Sequence, residues 1–150
     1  MSQEILTIGY ARATQDALVQ ALVEAKVELP ADIRALPLSR RAGFSKTSLK
    51  AAVEEAGIAY RHFRDLGTPK EGRDAARRGD HATLERVYAG QLELPEAMAQ
   101  MAQLQAVARE QRTCLLCYCE TTEGCHRELL IAEAFADMRR VDLEASPQTG

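Results

Sequence analysis

The sequence predicts a single α/β domain with a three-layer, Rossmann-like architecture on a mainly parallel sheet. Three observations predict it. Short apolar runs of strand length alternate with longer segments whose apolar residues recur at helical spacing. The apolar run Cys114–Cys119 is too short for a membrane span and suits a buried strand; a turn and another helical pattern follow it. The unusual polar clusters all come directly after the apolar runs, and in a parallel sheet those places share one rim. At 150 residues the chain can bury one core. Residues 1–145 are predicted to form the domain and 146–150 a disordered tail.

In chain order, Ile5–Ile8 reads as a first strand ended by Gly9. Thr14 can cap a helix whose apolar face is Leu18, Val19, Leu22 and Val23. Leu29–Leu36 is a second strand, with Pro30 near its start where a missing N–H is tolerated. A polar loop runs from Pro37 to Phe44. The next helix starts near Ser45, turns Leu49, Ala52, Val53 and Ala56 inward, and stops at Gly57. Ile58–Phe63 is a third strand. Leu66–Asp80 is rich in Gly, Lys and Arg and reads as irregular, mobile or ordered only by a ligand. Helices are predicted over Ala82–Gly90 and Pro95–Gln111, with Pro95 suited to a first turn. After the Cys114–Cys119 strand, a helix begins near Gly124 or Cys125 and buries Leu130, Ile131, Ala134, Phe135 and Met138. Val141–Leu143 is a last strand.

Composition narrows the function. The formal net charge of −3 argues against a general nucleic-acid binder, but the charge is uneven. Arg34–Arg78 holds 11 lysines and arginines against 5 acids, and the rest of the chain is acidic. That segment is either a solvated basic face or a site for an anion. The N-terminus shows neither a basic region nor a long apolar stretch, which predicts a cytoplasmic protein without a membrane anchor. All four cysteines (114, 117, 119 and 125) fall within twelve residues, unlike a secreted disulfide framework. No phosphate-loop or dinucleotide glycine pattern is present.

The candidate site residues follow from the shared rim. Cys125, His126 and Arg127 open a helix, where backbone N–H groups and the helix dipole favour anions and thiolates. Cys125 and His126 are the candidate catalytic pair, a thiol beside a base. The competing reading is a buried, helix-starting cysteine. Cys117, Cys119, Cys125 and His126 do not match zinc spacing, since C-x-C on a strand offers no separated ligand pair. No metal and no cofactor are therefore predicted. Tyr10 and Arg12 follow the first strand; Arg34, Ser39, Arg40 and Lys46 follow the second; His62 lies on the third. Together with Arg127 these are the candidate anion-binding residues, because arginine is rarely buried without a planar anionic partner. The competing reading pairs the arginines internally, with Asp32 or Asp65, and makes His62 a satisfied, half-buried side chain. Arg34 and Arg127 are expected to meet across the rim.

The segments TIGYAR, ADIRALPLSRRAGFSK, AGIAYRHFRDLGTPK and LLCYCETTEGCHRELL resemble, in order, the family catalogued as domain of unknown function 488, over residues 5–140. The matching positions are Asp32 and Arg34; Pro37, Ser39 and Arg40; Phe44 and Lys46; Tyr60, His62, Leu66 and Gly67; and Cys117, Cys125, His126 and Arg127. The family has glutamate two residues after its first cysteine; here Cys119 holds that place and Glu120 follows. The resemblance implies a fold and a candidate site but no reaction. The expected function is an enzyme acting on an anionic small molecule that carries phosphate or resembles a nucleotide, with arginine clamps. The alternative is a non-catalytic nucleic-acid module using Arg34–Arg78, against which the 5% aromatic content and absence of Trp weigh.

Overall fold

The computed structural model describes residues 4–39, 41–118 and 125–145. The expected tail at 146–150, Arg40, Cys119 and Glu120 lie outside the described residues. Five strands form one parallel sheet: β1 (Glu4–Gly9), β2 (Leu29–Asp32), β3 (Arg61–His62), β4 (Thr113–Cys117) and β5 (Arg139–Glu144). Their order across the sheet is β3-β2-β4-β1-β5. The helices are α1 (Gln15–Glu24), α2 (Lys46–Glu55), α3 (Lys70–Arg77), α4 (His81–Leu92), α5 (Pro95–Glu110) and α6 (His126–Ala134). The three-layer, Rossmann-like prediction holds.

Strand alternation sorts the core into two layers. Ile5, Ala31, Ile33, Leu115 and Cys117 pack against Tyr88 and Leu92 of α4, Leu104 of α5, and Leu130 and Ile131 of α6. Leu6, Ile8, Cys114 and Leu116 pack on the other face, against Leu18 and Leu22 of α1 and Leu49 and Val53 of α2. Strand β4 is buried along its whole length, as a central strand covered on both faces must be.

Several boundaries differ from expectation, each for a physical reason. Strand β2 ends at Asp32 rather than Leu36, because the Asp32 carboxylate accepts the N–H of Arg34 at 3.2 Å and turns the chain out of the sheet. Strand β3 shrinks to two residues. The N–H groups of Leu29 and Ile33 donate toward β4, so position 30 faces β3, and Pro30 has no N–H to give. Pairing with β3 starts only at Ala31 and Arg61. Strand β5 is longer than expected and runs beside β1 over six residues.

The largest correction concerns Leu66–Asp80, whose reading as irregular, either mobile or ordered only by a ligand, fails on its first part. Arg64–Leu66 is a turn of 3-10 helix and Lys70–Arg77 is α3. The buried positions of α3 are Gly72 and Ala75, too small to leave a hydrophobic periodicity. Gly72 is needed there, because a Cβ would stand 2.2 Å from Cγ2 of Thr68. On the outside, Asp74 pairs with Lys70 and Arg77 at i,i+4 and i,i+3 spacing, as exposed helix pairs do. Asp80 caps α4 by accepting the N–H of Thr83 at 3.1 Å.

The topology prepares a site. Helix α6, which follows β4, lies on one face of the sheet; α1 and α2, which follow the neighbouring strands β1 and β2, lie on the other. Chains leaving adjacent strands toward opposite faces open a crevice at the carboxyl edge. Among the described residues, no helix is long and apolar enough to cross a membrane.

Candidate functional site

The crevice is a cavity of about 540 Å³. Tyr10 enters it from the end of β1, and Arg34, Ala35, Leu36, Leu38, Ser39 and Arg41 from the loop after β2. Cys117 and Tyr118 come from the end of β4, and Cys125 and His126 from the start of α6. Thr68, with Arg73, Ala76 and Arg77 of α3, forms the remaining side.

One wall is a closed polar network. Asp32 is fully buried and Arg34 nearly so. Arg34 grips the carboxylate with two bonds, Nε to Oδ1 at 2.8 Å and Nη2 to Oδ2 at 2.7 Å. Its Nη1 donates to the Tyr10 hydroxyl at 3.0 Å and to the carbonyl of Phe44 at 2.6 Å. The Tyr60 hydroxyl donates to Oδ2 of Asp32. His62 Nε2 meets the carbonyl of Arg34 at 2.7 Å, so it too serves the loop. Burial alone would lower the Arg34 pKa; the hydrogen bonds and charge of Asp32 outweigh it, and the net shift is upward. Burial, then the Asp32 charge and hydrogen bond, pushes the Tyr60 phenol up. Tyr10 stacks on Phe44 with centroids 4.4 Å apart and fixes the turn that carries Arg34.

Arg41 is the second cation on this side. Its Nη1 donates to the carbonyls of Tyr10 at 2.6 Å and Ala11 at 2.8 Å, and its Nη2 to that of Ala13. These bonds hold the β1 loop without neutralising the guanidinium. The α3 side is less saturated. Arg73 donates Nη1 to the carbonyl of Thr68 at 2.8 Å. Neither Arg41 nor Arg73 has a carboxylate within ion-pairing distance among the described residues. The Thr68 side chain is 4% exposed, and its Oγ1 has no hydrogen-bond partner among the described residues. A buried hydroxyl left unsatisfied costs about 1–3 kcal/mol, so a ligand that bonds it gains there.

Between the walls sit the thiols. Cys125 is the N-cap of α6, and its Sγ lies 3.2 Å from Cys117 Sγ and 3.8 Å from Nδ1 of His126. His126 Nε2 meets the carbonyl of Ile33 at 2.8 Å. A carbonyl only accepts, so Nε2 carries a proton, and in the neutral ring Nδ1 is the acceptor facing Cys125. The ring is also held edge-on against Tyr88, whose hydroxyl donates to the carbonyl of Leu66 at 2.6 Å. Cys114, three residues before Cys117 on β4, packs on the far face, where burial pushes its thiol pKa far up.

Of the residues read from sequence, Tyr10, Arg34, Ser39, Cys125 and His126 line the cavity. Ser39 accepts the N–H of Arg41 at its hydroxyl and keeps its own hydrogen to donate. Arg12 and Lys46 are exposed and stand outside the lining, as do His62 and Arg127; Arg40 lies outside the described residues. The expected meeting of Arg34 with Arg127 does not occur. Arg34 packs among Tyr10, Phe44 and Tyr60 on the α1/α2 face. Arg127 is buried on the other face and reaches Thr7 Oγ1 at 3.3 Å, which in turn bonds Asp142. Both residues stand near the same edge, but side chains also have a face, and the two faces are separated by the sheet itself.

A family model described as "Domain of unknown function DUF488" matches residues 14–134. The chain belongs to this family. No curated protein and no solved structure matches it. For this DUF488 protein the cavity geometry therefore carries the functional argument. Sequence reasoning missed Arg41, Thr68, Arg73, Arg77 and Tyr118. The one signal for most of them was the basic excess of Arg34–Arg78, which marks the segment without saying which cations face inward.

Proposed function

We propose that this DUF488 protein is a cytoplasmic enzyme that binds a phosphate-bearing or nucleotide-like anion in the sheet-edge cavity and acts on it with Cys125 and His126. One observation carries the reading. The described lining contains four arginines (34, 41, 73 and 77) and no carboxylate, beside a thiol and an imidazole. Arg34 is neutralised by Asp32 and Arg77 is paired with Asp74, which leaves Arg41 and Arg73 as the charges an anion would meet. Thr68 and Ser39 add hydroxyls suited to phosphate oxygens. Leu36, Leu38 and Tyr118, all more than half exposed at the mouth, suit the flat ring of a nucleobase.

In this reading His126 Nδ1 takes the proton of the Cys125 thiol, the thiolate attacks an electrophilic centre of the bound anion, the bond from that centre to its leaving group breaks, and the leaving group departs with the proton from His126. The Ile33 carbonyl holds the imidazole in the tautomer this requires. A reducing cytoplasm keeps such a thiol available.

Calorimetric titration of the reduced protein with inorganic phosphate and then with mononucleotides tests the reading. Saturable binding that weakens at least tenfold in Arg73→Ala supports it. No binding of either probe, or equal binding by wild type and Arg73→Ala, overturns it. The same titration against short nucleic acids in rising salt separates the alternative, because a nucleic-acid module loses affinity steeply with salt.

A further inference from the structure

We propose that Cys125 and Cys117 are a nucleophilic and a resolving thiol, and that a hydroperoxide entering the cavity converts them to a disulfide. The inference rests on the reactive thiol assigned above and adds a partner to it. The two sulfurs are 3.2 Å apart, although eight residues separate them in sequence. They need to approach by only about 1 Å to reach the ~2.05 Å of a disulfide. Cys117 ends a central strand and Cys125 caps a helix, so two rigid elements hold them side by side. Both reach the cavity.

A metal shared by Cys117, Cys125 and His126 is the competing use of this cluster, whose ligand atoms lie within 4.8 Å of one another. Two thiolates on a tetrahedral zinc, with bonds of ~2.3 Å, stand ~3.7–3.8 Å apart, farther than these sulfurs. The arginine-lined cavity also opposes a divalent cation, whereas it stabilises a thiolate and does not oppose a neutral peroxide.

The chemistry balances. His126 Nδ1 takes the proton of the Cys125 thiol. The thiolate attacks one peroxide oxygen, the O–O bond breaks, and the departing oxygen leaves with the proton from His126 as water or an alcohol. Cys125 is then a sulfenic acid. Cys117 attacks its sulfur, the S–O bond breaks, and the hydroxyl leaves with the Cys117 proton as water. Two electrons pass from two thiols to one peroxide.

The test treats the reduced protein with about one equivalent of hydrogen peroxide. Titratable thiols should fall from four to two, peptide mapping should find Cys117 joined to Cys125, and a dithiol reductant should reverse both. Cys117→Ser should stop at the sulfenic acid, captured on Cys125 by dimedone. A bridge from Cys125 to Cys119, direct over-oxidation of the wild type, or an unlabelled Cys117→Ser protein would overturn the proposal. The wild-type peptide map decides the matter even if a variant fails to fold. Phosphate binding by the reduced protein is measured separately, so loss of the ligand reading and loss of the dithiol reading give different results.

Discussion

The two walls of the cavity are built from the same residue types and do opposite things. On the β2 side, Arg34 spends its donors on Asp32, Tyr10 and the Phe44 carbonyl, and Tyr60 closes the carboxylate from the other direction. On the α3 side, Arg73 makes a single bond to a carbonyl, and the buried Thr68 hydroxyl has no partner among the described residues. Burial of an arginine is thus a poor guide to ligand binding. A guanidinium whose donors are all matched within the protein stabilises a loop, while one left partly unmatched at a cavity wall can take an anion.

Arg34→Ala should break the closed wall. It leaves the Asp32 carboxylate buried without its counter-charge, and the expected loss of stability is about 3–5 kcal/mol by urea unfolding. A loss under ~1 kcal/mol together with abolished anion binding would reverse the roles of the two walls.

Tyr60→Phe should have the next largest effect, about 1.5–3 kcal/mol for a hydrogen bond to a charged group. The same residue sets an alkaline limit. Its phenol is raised in the folded state, so its contribution is fully present below the ordinary value of about 10.0 and is lost as pH climbs past it. The buried Cys114 thiol is also raised and acts in the same direction, from about pH 9.0 upward. Wild-type thermal midpoints should therefore be flat near neutrality and decline above pH ~9, and Tyr60→Phe should flatten the upper part of the decline. A midpoint that rises between pH 9 and 11 would contradict both assignments.

On the open wall, Arg73→Ala should cost at least about tenfold in phosphate or nucleotide affinity, roughly 1.4 kcal/mol, while stability changes by ~0.5 kcal/mol or less. A larger loss of stability than of affinity would make Arg73 a structural residue like Arg34. Thr68→Val should have the smallest effect on the free protein. Removing an unpartnered hydroxyl is near neutral or slightly stabilising, while ligand affinity falls by the ~0.5–1.5 kcal/mol of one hydrogen bond. A clear destabilisation, seen by calorimetry without ligand, would mean that the hydroxyl already has a partner.

Much of the fold and part of the site were legible in the chain. The apolar runs and helical spacings placed five strands, and Thr14, Ser45 and Pro95 marked helix starts found at those points. What escaped was α3, because its inward positions are Gly72 and Ala75, and small residues leave no amphipathic signature. Arg73 and Arg77, the cations that α3 brings to the cavity, escaped with it.

The sequence by itself determined what depends on short spacing. Asp32 and Arg34, two apart on an extended chain, had to share a face and could pair. Cys125 and His126 had to open the helix after β4. Only the tertiary structure decided what depends on strand order and sheet face. It set Cys117 against Cys125, parted Arg34 from Arg127, and brought Thr68 and Arg73 to the same cavity as the β2 loop. The reason is geometric: local periodicity says that a side chain is buried, but only the packed sheet says on which face and against what.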